Sequence, residues 1–501
     1  MKKSLYLFNV KHVLIFLAAS VILLSVCSRS SPLYPLNYWA DANCFFTAGK
    51  SMMNGVVLYR DIYEQKGPLL YLLHGLAYLI SNDSFLGVFL LEVFSLTTFL
   101  LIIRSLMLLF TEHVTFLLPI AVGVAIATSK SFALGGSVEE LSLPLVSWSL
   151  YYMLRCFKAN GDDESDAFSL KPIFINGFLA GCILLMKFNL LGFYIGWIVV
   201  FLVFRFRKAG YKSVLSTGLS FMAGILLAAL PWIIYFVFNK ALGDFWHTYF
   251  YNNLFLYPMS SGSFTADIVM GIKYLIFALY KNLIYAIPVI IGMFWILFGT
   301  GNYISSYGKA GILTSFILLA VGVYIGGRAY DYYLLIFGVY AVFGVIPIQT
   351  LINKTTNNCK NLRKKVLSVV ITVFWAIFLV FYSYSYANDT YALGADKSSV
   401  IHYRFSDIMH ELDDNPTLLN YGFMDGGFYT AANIVPNCKY FCTLNIPLNE
   451  IQEGQDNCLL SGEVEFVITK NLMLDTNKFN KYDLVCSDTF YGDTLFLYRR
   501  Y

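Results

Sequence analysis

The segment Tyr38–Leu73, YWADANCFFTAGKSMMNGVVLYRDIYEQKGPLLYLL, decides how the rest of the chain is read. It directly follows the first apolar run and holds Asp41, Lys50, Arg60, Asp61, Glu64 and Lys66. The chain as a whole is 58% hydrophobic and only 13% charged, so this much charge in one loop stands out. Ionisable groups beside a bilayer are costly to desolvate unless water or a partner charge is at hand, which makes the loop a functional candidate. An acid stands a few positions past the apolar run, the amphipathic phrase NGVVLYRDIYEQKGP follows, and a new apolar helix opens at Pro68.

Outward from that loop, 501 residues with 18% aromatics and a mean hydropathy of +0.63 exclude an ordinary soluble domain and point to a polytopic membrane protein. The net charge of +4 carries no nucleic-acid signal, and no nucleic-acid partner is expected. Lys2, Lys3 and Lys11 form a basic flank before the apolar run His12–Cys27. That run reads as a retained first helix. Val26 is not the small residue that a lipoprotein cleavage site needs before Cys27, and the acidic loop needs an anchor on its N-terminal side.

The run Pro68–Ile80 is about 13 residues, roughly 20 Å as a helix, which is short of a ~30 Å hydrocarbon core. Read as a juxtamembrane helix, it leaves Asp41 and the acidic pair Glu139-Glu140 on one side and the basic loops on the other, as the positive-inside rule asks. The spans are then His12–Cys27, Phe85–Phe110, Val114–Thr128, Leu141–Phe157, Ile173–Met186 and Leu190–Phe204. Val214–Phe238, Leu283–Phe298, Gly311–Ile325, Tyr332–Thr350 and Val366–Tyr384 bring the total to roughly eleven. The inner loops contain Arg104, Arg155, Lys158, Arg205, Arg207, Lys208, Lys212, Lys309, Lys354, Lys360, Arg363, Lys364 and Lys365, together with the acidic tract Asp162–Asp166.

The expected division is a helical membrane domain over 1–387, whose first outer loop covers about 29–84, and an extracytoplasmic α/β domain over 388–501. In the tail Leu418–Met424, Glu465–Thr469 and Leu495–Arg499 read as strands, and Ser406–Leu412 as a short amphipathic helix. An odd number of spans from an inner N-terminus puts this domain outside. Its cysteines, Cys438, Cys442, Cys458 and Cys486, are either free or joined in up to two disulfides. Cys438 and Cys442 lack a second pair at ligand spacing, so no metal site is expected.

The loop resembles the first extracytoplasmic loop of the GT-C glycosyltransferases, integral membrane enzymes that take a sugar from a polyprenyl-phosphate carrier. It reads Asp41-Ala42 where that class often has Asp-Glu, and Lys66-Gly67-Pro68-Leu69 where the class has Lys-Pro-Pro-Leu. Gram-positive cell-wall polysaccharide transferases, lipid A aminoarabinose transferases and protein O-mannosyltransferases are the members it is most similar to. The resemblance implies a GT-C-like bundle with juxtamembrane helices. It also implies inverting transfer from a polyprenyl-phosphate-linked sugar to an extracytoplasmic polysaccharide or glycolipid acceptor, in contact with membrane lipids and without a cofactor.

Such a transfer needs a proton acceptor for the attacking hydroxyl and cations for the departing phosphate. Asp41 is either that base or a helix cap, and the resemblance favours the base. Lys66, before a proline suited to a first helical turn, either binds phosphate or snorkels to lipid headgroups. Glu139 and Glu140 lie about 100° apart on a helix, so at most one faces a given cavity; the resemblance calls for a second acid here without saying which. Lys187, in LLMKFNLLG, and Arg328, in GGRAYDYYLL, are further candidate donor-phosphate ligands, although Asp331 could simply pair with Arg328. The aromatic stretch Gly243–Pro258, with His247, reads as membrane-interface material and resembles a third juxtamembrane helix. A transporter or flippase of lipid-linked sugars is the competing class, but it usually shows internal inverted repeats, and none is evident.

Overall fold

The computed structural model describes residues 9–158, 169–259, 262–300, 303–357 and 362–501. The tract Asp162–Asp166 and the basic residues Lys2, Lys3 and Lys360 lie outside the described residues, as do the side chains of Arg363, Lys364 and Lys365. The longer helices of the membrane part are α1 (Val10–Cys27), α2 (Ala40–Met53), α3 (Pro68–Ile80), α4 (Leu86–Met107), α5 (Leu117–Ala127), α6 (Val138–Cys156) and α7 (Leu170–Lys187). They continue with α8 (Gly192–Phe238), α9 (Phe264–Lys281), α10 (Leu283–Phe294), α11 (Ser306–Tyr324), α12 (Val342–Asn357) and α13 (Leu362–Tyr386). The tail adds α14 (Ile401–Leu412) and α15 (Asn449–Ser461). Its strands are β1 (Leu418–Asn420), β2 (Phe466–Lys470), β3 (Tyr482–Phe490) and β4 (Asp493–Arg500).

Two compact units emerge. One comprises Met1–Ser28, Glu92–Leu230 and Met259–Thr390; the other comprises Arg29–Leu91, Pro231–Pro258 and Tyr391–Tyr501.

The first unit is helical. Five segments of the chain are long and apolar enough to cross a membrane: Val10–Cys27, Leu86–Met107, Leu170–Phe238, Ser306–Tyr324 and Asp331–Lys354. A sixth is added if Phe264–Lys281 and Leu283–Gly299, bent by 115°, form one broken span. The protein is thus a mostly helical, multi-span membrane protein with five or six spans by length and composition, where the sequence reading expects about eleven.

The difference has local causes. Leu170–Phe238 runs 69 residues, which as one straight helix would be roughly 100 Å, far more than a ~30 Å core. It is broken by the 3-10 turn Phe188–Leu191 and by Gly210 at φ 72°, a left-handed conformation that glycine adopts without a Cβ clash. Three expected spans fall on the three pieces. α5 has only 11 residues, and α6 begins with two glutamates. α9 was not among the expected spans; Asp267, Lys273 and Lys281 interrupt its apolar pattern.

The faces of α8 divide as a lipid-embedded helix should. Ile195, Val199 and Val203 are exposed at a spacing of four. Gly192 and Gly196 instead meet α11 so closely that a Cβ on either would strike the backbone near Leu318 or Ser315. Small residues four apart let helices approach in this way where no hydrophobic effect drives them together.

The second unit joins the charged loop after α1 to the tail. Pro68 sits in the first turn of α3 after Gly67, and the helix ends at Ile80, so its bounds are those expected. α2 packs on α3 through Gly49 and Gly75; a Cβ on Gly49 would stand 2.5 Å from the Gly75 nitrogen and 2.6 Å from the Tyr71 carbonyl oxygen. Leu36, Phe46, Ala77, Phe85, Val400 and Tyr403 form a shared core of loop and tail.

The tail sheet has the order β1-β2-β4-β3, parallel between β1 and β2 and antiparallel elsewhere. β3 was not foreseen. It is an edge strand, exposed along most of its length, so Asp483, Ser487 and Asp488 dilute its apolar alternation. The expected strand Leu418–Met424 shortens to β1, and the expected helix Ser406–Leu412 begins earlier, at Ile401. Cys438 and Cys458 form a disulfide with Cα atoms 6.4 Å apart, while Cys442 and Cys486 are free thiols.

Candidate functional site

In the second unit, α2 begins at Ala40 with Trp39 as its N-cap, and that cap makes no side-chain hydrogen bond. Asp41 therefore stands inside the first turn, not at the cap. There the helix dipole favours a carboxylate. It is half-buried, and among the described residues its carboxylate accepts no hydrogen bond.

Lys66 is held far more firmly. Its backbone N–H donates to Glu64 Oε2 at 2.8 Å and to the Tyr71 hydroxyl at 2.7 Å. Its carbonyl accepts from the Tyr59 hydroxyl at 2.7 Å. The Tyr71 hydroxyl also donates to Glu64. The ammonium lies 4.0 Å from Glu64 Oε1 and 5.7 Å from the centre of the Phe45 ring. Burial works against this charge, but Glu64 and Asp41 outweigh it and hold the Lys66 ammonium above the ordinary lysine range. Asp41 and Lys66 are thus electrostatic neighbours, separated in sequence by α2 and the loop that follows it.

Trp246–Leu256 winds as a π-helix within this same unit. Asn252 donates to the Tyr63 hydroxyl at 3.0 Å and Asn253 to the Gln65 carbonyl at 2.6 Å. The aromatic stretch thereby braces the residues that lead into Lys66. His247 is exposed and stacks on Tyr251 at 5.1 Å.

Lys50, another charge of the loop, is fully buried and donates to the Tyr429 carbonyl at 2.7 Å. Burial pushes its amine down to about 7, with the Asp425 charge opposing. Asp425 accepts from Thr47 at 2.6 Å, and burial raises its carboxyl. These residues join α2 to the tail from within.

In the first unit, Glu139 and Glu140 part company. Ser137 caps α6 and accepts from the Glu140 N–H at 3.0 Å. The Glu140 carboxylate turns back to accept from the Gly136 N–H at 3.0 Å, which ties up its own helix start. Glu139 instead meets Lys187, the last residue of α7, at 2.5 Å. The Lys187 ammonium also lies 4.1 Å from the centre of the Tyr333 ring and 5.1 Å from that of Tyr332. One oxygen of each glutamate, Glu139 Oε2 and Glu140 Oε1, is buried without a hydrogen bond among the described residues.

Arg328 donates to the Tyr330 hydroxyl at 3.2 Å, and the Tyr330 ring stacks on Tyr332 at 5.6 Å. A line of tyrosines therefore connects Arg328 to Lys187 and Glu139. Asp331 pairs with Lys281 at 2.9 Å.

The sequence reading passed over the three tyrosines, whose only signal is their density after Arg328. It also passed over Glu92, a fully buried acid within α4 that accepts from the Ser28 hydroxyl at 2.6 Å. A single carboxylate inside an apolar helix was visible in the sequence and is costly enough to merit notice.

No protein-family model matches the sequence, and no curated protein matches it. Solved structures do. The ArnT structure from Cupriavidus metallidurans bound to undecaprenyl phosphate aligns over 98% of both chains at 12% identity with a TM-score of 0.55. The same protein in the apo state aligns over 97% of both chains at 12% identity with a TM-score of 0.52. The Archaeoglobus fulgidus oligosaccharyltransferase in its apo form aligns over 92% of this chain and 70% of its own at 12% identity and a TM-score of 0.51. Identity this low carries the fold alone, and over nearly its whole length the chain has the fold of the GT-C membrane glycosyltransferases.

Proposed function

We propose that the protein is a membrane glycosyltransferase that moves one sugar from a polyprenyl-phosphate carrier to an extracytoplasmic acceptor, a cell-envelope polysaccharide or glycolipid. The acceptor hydroxyl attacks the anomeric carbon as the bond from that carbon to the phosphate oxygen breaks. Asp41 takes the hydroxyl proton, and the polyprenyl phosphate leaves as an anion. A single displacement of this kind inverts the anomeric centre. Lys66 is assigned to the departing phosphate, whose charge it would stabilise, and Arg328 and Lys187 are put forward, each in its own right, as further donor-phosphate ligands. Glu139 is the second acid of this reading, and Glu140 the one spent on its helix.

The observation that carries the reading is that Asp41 and Lys66 are electrostatic neighbours. A carboxylate without a hydrogen bond among the described residues lies within the field of an ammonium kept charged by its carboxylate neighbours. Support for a lipid-phosphate donor comes from the undecaprenyl phosphate bound by the ArnT of Cupriavidus metallidurans, which shares the fold. About eleven crossings, an outward-facing first loop and a division near residue 387 complete the proposal. The breaks at Phe188–Leu191 and Gly210 favour that higher count.

The test is Asp41→Asn, which keeps shape and hydrogen-bonding capacity but cannot take a proton. Sugar transfer in membranes should fall about 10²–10⁴-fold, with accumulation and binding of a polyprenyl-phosphate sugar unchanged. Near-parental turnover would remove Asp41 from the mechanism and move the search for the base to Glu139 and Glu140, whereas no sugar transfer even by the parent protein would leave lipid-linked-sugar transport as the better reading.

A further inference from the structure

A cavity of about 590 Å³ lies within the second unit, lined by the chain just after α1, the residues around Tyr391, the start of α14 and the β3–β4 hairpin. Its size is in the range of sites that hold a small organic ligand. Two arginines, Arg29 and Arg404, line it, and no carboxylate does. Arg29 is almost wholly buried, with its guanidinium 4.7 Å from the centre of the Tyr38 ring and a hydrogen bond of 3.1 Å to the Tyr491 hydroxyl. Arg404 pairs with Asp488, yet a guanidinium has five N–H donors, more than one carboxylate takes up. The remaining wall is aromatic. Tyr491 packs on Tyr38 at 4.9 Å, on Phe490 at 4.6 Å and on Tyr391 at 5.3 Å.

Tyr491 occupies an unusual position. With Gly492 it forms the two-residue turn between β3 and β4, at φ 50° and 85°. Such turns favour Asn or Gly at the first place, because a side chain there is strained. The ring contacts of Tyr491 with Tyr38, Tyr391 and Phe490 offset the strain of that turn.

We propose that this cavity binds an anionic sugar, a glycosyl phosphate or a uronate, as a unit of the acceptor. The planar guanidinium of Arg404 suits a carboxylate or phosphate, and aromatic rings offer apolar faces with hydroxyls at their edge for a pyranose. The assignment rests on the transferase reading for its purpose, although binding itself can be measured without any transfer.

The experiment titrates the purified full-length protein in detergent with glucuronate and with glucose 1-phosphate, against methyl glucoside and inorganic phosphate. At least one anionic sugar should bind, and methyl glucoside should bind at least about tenfold more weakly. Arg404→Gln should weaken binding about tenfold or more, the loss of one charge-assisted contact. Tyr491→Asn should weaken it about fivefold while the melting temperature holds or rises, because asparagine accepts the left-handed turn. Unchanged binding in both variants, or inorganic phosphate competing as well as glucose 1-phosphate, would overturn the proposal. So would binding confined to vesicles containing anionic phospholipid, which would mark a headgroup site. Asp41→Asn should bind these probes like the parent protein, so loss of the catalytic reading and loss of this one register in different assays.

Discussion

The buried Glu139–Lys187 pair sets the terms at the scale of single residues. Two charges removed from water stabilise little on balance, but stranding one of them is expensive, typically about 3–5 kcal/mol. Lys187→Met should therefore lower the unfolding free energy by about that much, and Glu139→Met in the same chain should recover most of it. Thermal melting of the single and double variants in detergent checks this, and equal losses in both would mean that the pair is not the relevant contact. His402 gives a second handle. It is buried beside Phe428 at 4.3 Å, and burial pushes its imidazole down to about 3, with a hydrogen bond to the Gly426 backbone opposing. The unfolded chain, with an ordinary imidazole near 6.5, then binds the extra proton first. The neutral ring's stabilisation is complete above about pH 6.5 and is lost toward pH 3, at up to about 1.4 kcal/mol per unit. Denaturant midpoints of the parent and His402→Gln over pH 4 to 7 should diverge as pH rises; parallel curves would contradict the assignment. At this scale the sequence was only half legible. It nominated Asp41, Lys66, Glu139, Glu140, Lys187 and Arg328, but the division of labour between adjacent glutamates depends on which distant element each one faces. Lys187 lies 48 positions from Glu139, and no local pattern announces that pairing.

Among elements, the contact of α2 with α3 governs where the charged loop residues stand. α2 carries Asp41 and Lys50, and α3 begins two residues after Lys66. Gly49 allows their backbones to touch, so Gly49→Ala should force them apart at an overpacking cost of about 1–3 kcal/mol. Gly218, in α8, has nothing within 4 Å of a built Cβ. Gly218→Ala should be neutral or stabilising by up to about 1 kcal/mol. Comparable losses in both variants would show that helix propensity, rather than contact, decides the outcome. The bounds of α3 were readable because proline and the residue before it define a helix start locally. β3 and α9 were not. An edge strand and a helix punctuated by charge both lack the uniform apolar period that a sequence displays, and only their neighbours stabilise them.

The whole molecule adds a question of sidedness. Cysteines introduced singly at Asp41, Glu140, Arg328 and an exposed tail position such as Asn477 should all be labelled by a membrane-impermeant thiol reagent in intact cells. Asp41 and Glu140 labelled from opposite faces would sink the topology and the assigned roles together. The Cys438–Cys458 disulfide favours an oxidising side for the tail. The tail also bears on time. The polar face of α2 finds its partners in the last hundred or so residues: Thr47 bonds Asp425 across 378 positions, and Lys50 bonds Tyr429 across 379. At about 5–20 residues per second, a ribosome needs roughly 20 to 75 s to deliver those partners. Throughout that interval the loop bearing Asp41 has been made but not completed. A truncated or stalled chain would keep every proposed donor-phosphate residue and still leave α2 without its partners, so the newborn protein should be a client of chaperones until its tail has been made.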